Sequence, residues 1–173
     1  MRASVAPLPP IAWRWVVLGG LALATLDAFF ATTFWRVAAD MPWTRVFQSV
    51  AAGVIGLERS VAGGEPTAWL GVGLHYAIAM SFVVAYTLAA QRIGTLVRRP
   101  LAFGGLYGLV LYAVMNLVVI PLSAIGHLPK FDNLPWVSSS IAMHVVFGLI
   151  CAFAARMAVA GVSARPRPAL SVR

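Results

Sequence analysis

Four long apolar runs limit what this chain can fold into. They cover about residues 13–35, 67–90, 101–121 and 136–158, and a helix needs about 20 residues to cross a bilayer. A helix satisfies its own backbone hydrogen bonds, so it is the form that such a run takes in hydrocarbon. The sequence therefore predicts an all-α integral membrane protein built as a four-transmembrane-helix bundle.

Composition supports this prediction, and charge orients the bundle. Of 173 residues, 61% are apolar and 10% are charged, against roughly 25% charged in a soluble domain. Basic residues of membrane proteins collect on the cytoplasmic side. With both termini cytoplasmic, the inner set is Arg2, Arg14, Arg92, Arg98, Arg99, Arg156, Arg165, Arg167 and Arg173, and the outer set is Arg36, Arg45, Arg59 and Lys130. We therefore expect cytoplasmic termini, the lipid bilayer as the main partner, and no nucleic acid.

The segment between the first two runs carries a second pattern. Its apolar residues recur at helical spacing on one face, as Trp43, Val46, Phe47, Val50, Ala51, Val54 and Leu57. This spacing predicts an amphipathic interfacial helix over about residues 42–57, with Asp40 or Met41 as its cap. We expect it to be a connector that rests on lipid. A lid, or a docking surface for a partner, is the alternative.

The runs leave no room for a second domain. Residues 1–162 are predicted to form a single membrane domain. Residues 163–173 alternate arginine and proline without an apolar period, which predicts a disordered basic tail. The sequence has no H-E-x-x-H motif, no phosphate loop and no clear nucleophile–base pair, so we do not expect an enzyme.

Each apolar run contains one strongly polar residue at a similar depth. Asp27 lies eight residues before Trp35, His75 eight after residue 67, Asn116 five before residue 121, and His144 eight after residue 136. At a rise of 1.5 Å per residue, all four are roughly 8 to 12 Å below the outer ends of their helices. We therefore predict one polar layer inside the bundle.

Three interpretations of the polar layer are open. The four side chains can be structural, joining helices through hydrogen bonds. They can bind a proton or line a path for a small solute, because ionisable residues inside a membrane commonly serve function. In the third interpretation, His75 and His144, with Asp27, hold a metal or a haem. No spacing motif supports this last option, so we expect no cofactor.

The second half of the chain resembles a known family. The residues that carry the resemblance are GLHYAIAMSFVVAY at 73–86, IPL at 120–122, PKFDNLPW at 129–136, and His144. Over residues 68–156 the chain resembles the YagU-like family of small bacterial inner-membrane proteins. The resemblance implies a non-enzymatic inner-membrane protein with a loose link to the envelope or to acid stress. It does not include Asp27.

The PKFDNLPW string predicts the start of the fourth helix on the outer side of the membrane. Asp132 or Asn133 can cap the fourth helix, and the proline two residues later fits its first turn. His127 and Asp132 are candidates for an outer mouth above the polar layer. A homo-oligomer, or a purely structural subunit with a membrane partner protein, is a further possibility for a bundle with small-residue stripes.

Overall fold

The computed structural model describes residues 10–163, which form helices joined by short loops and include no strand. Four helices are long and apolar enough to cross a membrane. We call them the first to fourth spans, and they cover Trp13–Ala39, Gly64–Arg92, Pro100–Leu122 and Leu134–Ser163. The predicted all-α, four-span fold is confirmed. The predicted tail, apart from residue 163, lies outside the described residues.

The first span runs four residues beyond its predicted end and stops at Ala39, because the next residue, Asp40, is left-handed. Asp40 adopts φ 50°, and its N–H donates to the carbonyl of Trp35. A residue before proline is disfavoured in helical conformation, so Met41, before Pro42, cannot continue the helix. The prediction that Asp40 or Met41 caps the next helix is therefore wrong. Pro42 precedes that helix, without a side-chain cap.

The first, second and fourth spans form the core of the bundle. Leu23, Val83 and Cys151 are among its fully buried side chains, and most of the other buried residues are alanines. Small side chains allow close helix packing where lipid offers no hydrophobic driving force. The N–H of Ala12 donates to the carbonyl of Ala158 at 2.9 Å. The start of the first span and the end of the fourth therefore lie at the same end of the bundle.

The opposite ends of the first and fourth spans meet through aromatic rings. Trp35 and Trp136 have ring centroids 5.1 Å apart. Phe34 contacts both rings, at 5.5 and 5.0 Å. The two tryptophans from which depth was counted are therefore level with each other.

The third span packs along the fourth through glycine. A Cβ at Gly108 would overlap the backbone of His144, and one at Gly148 would overlap the backbones of Gly104 and Gly108. Backbone-to-backbone approach of this kind requires residues without side chains. The third span makes no comparably extensive contact with the second. These two spans are joined at Tyr107, whose hydroxyl donates to the carbonyl of Phe82 at 2.9 Å, and are otherwise packed less closely.

The helix between the first two spans occupies Trp43–Ile55, and we call it the connecting helix. Val46, Phe47 and Ala51 of its apolar face are buried, and a Cβ at Gly71 of the second span would overlap the backbone of Phe47. Its polar Gln48 is also buried and donates from Nε2 to the carbonyl of Gly64 at 2.8 Å. Part of the apolar stripe that was expected to rest on lipid thus packs on protein, whereas Trp43 and Val54 stay exposed. The short helices Leu57–Ala62 and Gly94–Arg98 complete the connections.

A π-helical turn interrupts the third span at Met115–Val119. Pro121 lies two residues after this turn, and a proline within a helix lacks an N–H and crowds the carbonyl four residues earlier. Widening the turn is one way to absorb that disturbance, and such turns are frequent at functional sites. The turn contains Asn116, one of the four polar residues.

Gly108→Ala should lower the free energy of unfolding by about 1 to 3 kcal/mol, because overpacking forces the third and fourth spans apart. Gly105→Ala is the matched control, since its Cβ would meet only Val145 Cγ1, at 3.9 Å. Unfolding in detergent, followed by circular dichroism during SDS titration, measures both variants. Equal stability of the two would contradict the proposed packing.

Candidate functional site

One cavity of about 200 Å³ connects the four polar residues of the predicted layer. Asp27, His75, Asn116 and His144, one from each span, all line it, and all four are half-buried. Ser140, a buried residue, adds a hydroxyl, and most of the other lining side chains are apolar. We call this space the polar cavity.

His75 is fixed by the first span. Its Nε2 lies 2.9 Å from the carbonyl of Ala24. A carbonyl only accepts hydrogen bonds, so Nε2 carries a proton and donates it. The other ring nitrogen, Nδ1, lies 3.9 Å from Oδ2 of Asp27. The second span therefore presents one free nitrogen to the carboxylate of the first.

Asp27 has no hydrogen-bond donor among residues 10–163, and Nδ1 of His75 is its nearest charged or ionisable neighbour. The Asp27 side chain is 30% exposed, whereas that of His75 is 13% exposed. Carboxylates away from bulk water need a partner, a proton or water. At 3.9 Å the pair is too far apart for a direct hydrogen bond. A proton or a water placed between Asp27 and His75 would join the two side chains by hydrogen bonds.

His144 is held in the opposite tautomer. Its Nδ1 lies 2.8 Å from the carbonyl of Ser140, one helical turn earlier, and therefore donates to it. The ring packs edge-on against Tyr112, with centroids 5.2 Å apart. Tyr112 lies one turn after Gly108, so the close approach of the third and fourth spans sets this contact. His144 thus keeps Nε2 free to accept a hydrogen bond.

Asn116 contributes an amide from the π-helical turn. Its Nδ2 donates to the carbonyl of Tyr112 at 2.8 Å. Among the residues that the structure describes, Oδ1 of Asn116 has no hydrogen-bond partner. The polar cavity therefore has one further acceptor on the third span.

The connecting helix supplies residues to the site that sequence reasoning missed. The ring of Phe47 packs edge-on against His75, with centroids 5.7 Å apart, and Val50 lines the polar cavity. The helical spacing had put both on the apolar face of this helix. It carried no signal that the face covers a polar site, because that depends on where the helix docks.

The proposed outer mouth is divided in the structure. His127 lines a second cavity of about 430 Å³, which we call the His127 cavity. The walls of the two cavities share Val50, Ile78, Met115 and Ile120. Asp132 is exposed and lines neither cavity. Asn133, not Asp132, caps the fourth span, because its Oδ1 accepts a hydrogen bond from the N–H of Trp136 at 3.1 Å.

The donor set does not fit a metal. No group of three His, Cys, Asp or Glu side chains in residues 10–163 is arranged to hold a metal ion. The polar cavity is also smaller than the roughly 300 to 1,000 Å³ of sites for drug-sized ligands, and a haem is at least that large. The alternative with His75, His144 and Asp27 as ligands has no geometric support.

Comparison with protein-family models, with curated proteins and with solved structures finds no match to this chain.

The hydrogen bonds predict different tautomers for the two histidines of the polar cavity. When neutral, His75 should carry its proton on Nε2 and His144 on Nδ1, because each donates to a backbone carbonyl. Long-range ¹⁵N–¹H couplings of ¹⁵N-histidine-labelled protein distinguish the tautomers. His75→Gln and His144→Gln assign the signals, since the chain has three histidines. The same tautomer for both would contradict the hydrogen bonds.

Proposed function

We propose that this chain is a non-enzymatic multi-pass protein of the bacterial inner membrane, of the YagU-like type, in which Asp27 and His75 bind and release a proton. The observation that supports this most is the spacing of 3.9 Å between Nδ1 of His75 and Oδ2 of Asp27. Neither atom has a hydrogen-bond partner among the described residues. The cytoplasmic location of the termini, inferred from the arginines, is part of the proposal.

The chemistry of the pair follows from the fixed tautomer of His75. With its proton on Nε2, neutral His75 turns a lone pair towards Asp27. Two lone pairs that face each other across a weakly polar space repel. One added proton, on either atom, turns this into a charge-assisted or neutral hydrogen bond after a small movement or through one water. The pair is therefore suited to bind and release one proton.

The size of the polar cavity favours a proton over a larger solute. At about 200 Å³ it has room for several waters but is below the usual range for small-molecule sites. His144 Nε2 and Asn116 Oδ1 can accept hydrogen bonds from such waters.

A structural role is the second candidate, and one contact favours it. The His75–Ala24 hydrogen bond joins the first and second spans. Bonds of this kind average about 0.6 kcal/mol in membrane proteins. This contact needs only the Nε2 proton, whereas the proposed function needs Asp27. A change at Asp27 that keeps the His75–Ala24 bond therefore separates the two roles.

Infrared difference spectroscopy between acidic and neutral pH tests the proposal directly. In nanodisc-embedded protein with ¹³C-labelled aspartate, the wild type should show a carboxyl band that Asp27→Asn removes. His75→Gln should shift the frequency of that band, because Asp27 loses the nitrogen that faces it. Asp40→Asn is the matched control, since Asp40 is exposed and pairs with Arg36 at 2.9 Å.

A difference spectrum of Asp27→Asn that matches the wild type would overturn the proposed proton site. A band that Asp27→Asn removes but His75→Gln leaves in place would remove His75 from it. Size-exclusion elution and helix content establish that each variant is folded, so loss of the band cannot be mistaken for unfolding.

A further inference from the structure

The His127 cavity is a second binding space, separate from the polar cavity in shape and chemistry. It lies between the connecting helix, the second and third spans, and the loop that follows the third span. Its volume of about 430 Å³ is at the lower end of the range for small-molecule sites. The lining is largely apolar, with Leu74, Val54 and Val119 among its side chains.

The hydroxyls in its wall are already engaged. Ser49 Oγ donates to the carbonyl of Val46 at 2.6 Å. Ser123 Oγ donates to the carbonyl of Ile120 at 2.7 Å and accepts from the N–H of Ile125 at 3.2 Å. The interior of the His127 cavity therefore offers an apolar surface to a ligand.

The polar end of the cavity is at His127, which is exposed and thus lies at its mouth. Nδ1 of His127 lies 3.0 Å from the carbonyl of Leu128 and donates to it. Nε2 has no partner among the described residues. Lys130 follows Pro129, which lines the cavity, and is also exposed. Asp132, on the same loop, makes no ion pair with Lys130. The mouth thus has a hydrogen-bonding ring, and an exposed cation follows one residue after the lining residue Pro129.

We propose that the His127 cavity binds a fatty acid, with its chain in the apolar interior and its carboxylate at His127 and Lys130. A carboxylate matches the charge of Lys130, and it accepts a hydrogen bond from Nε2 of His127 when the ring is protonated. The volume admits a single chain of medium length. The proposal does not depend on the proton site, because none of its contacts includes Asp27 or His75.

Photolabelling in nanodiscs of neutral phosphatidylcholine tests this site. A diazirine derivative of decanoic acid is crosslinked to the full chain, and the modified residues are mapped by mass spectrometry. Labels should concentrate on the connecting helix, the end of the third span and the following loop. Unlabelled decanoate should compete about tenfold better than decanol, as expected for one hydrogen bond to a charged group.

Two pairs of variants separate the chain site from the carboxylate site. Val119→Trp fills the cavity and should abolish the labelling, whereas Val118→Trp, on an exposed residue outside the cavity, should not. Val54→Trp on the connecting helix repeats the filling test if Val119→Trp does not fold. His127→Gln with Lys130→Gln should remove the preference for decanoate, and Arg45→Gln should keep it.

Three results would overturn the proposal. They are labels spread evenly over the lipid-facing surfaces of the spans, equal competition by decanol and decanoate, and unchanged labelling in both filling variants. Labelling that survives the double change at the mouth with its acid preference intact would also overturn the assignment of the carboxylate site.

Discussion

The contact between the backbones of the third and fourth spans shapes the rest of this protein. Gly104, Gly108 and Gly148 let the two helices meet without intervening side chains. The third span therefore packs mainly against the fourth and meets the second chiefly through Tyr107. The polar cavity lies among all four spans, and the His127 cavity lies between the connecting helix and the second and third spans. A larger residue at this contact would move Tyr112 and Asn116 with the helix.

The connecting helix closes the same space from one end of the bundle. It docks where Gly71 lets the backbone of Phe47 approach the second span. The N–H of Ala124 donates to the carbonyl of Gly53 at 2.9 Å, which ties the helix to the loop after the third span. The segment that links the first two spans therefore bridges the second and third. Through Phe47 and Val50 it controls what surrounds His75.

The polar cavity combines stability and reactivity in one pair of residues. One ring nitrogen of His75 donates a hydrogen bond between spans, and the other faces Asp27. A half-buried carboxylate without a hydrogen-bond donor is costly in a membrane protein. That cost falls when a proton or a water joins the two side chains, and this is the physical basis for the proposed proton site.

The sequence by itself determined the four spans. A run of about 20 apolar residues crosses hydrocarbon as a helix, because a helix satisfies its own backbone hydrogen bonds. Depth counting also placed Asp27, His75, Asn116 and His144 at one level. It worked because a helix has a fixed rise and because Trp35 and Trp136, used as reference points, are in contact. The apolar face of the connecting helix was evident from its period, but the surface on which this helix docks was not.

Only the tertiary structure decided which atoms of the polar residues face each other. Helix docking decides that His75 bonds to Ala24 and that His127 lines a cavity while Asp132 does not. Local backbone angles decide that Asn133 caps the fourth span. Periodicity shows which face of a helix is apolar. It does not show how the helix is rotated against its neighbour or which residue it contacts across a loop. Those are set by close contacts such as Gly71 with Phe47 and Gly108 with His144, which join residues distant in the chain.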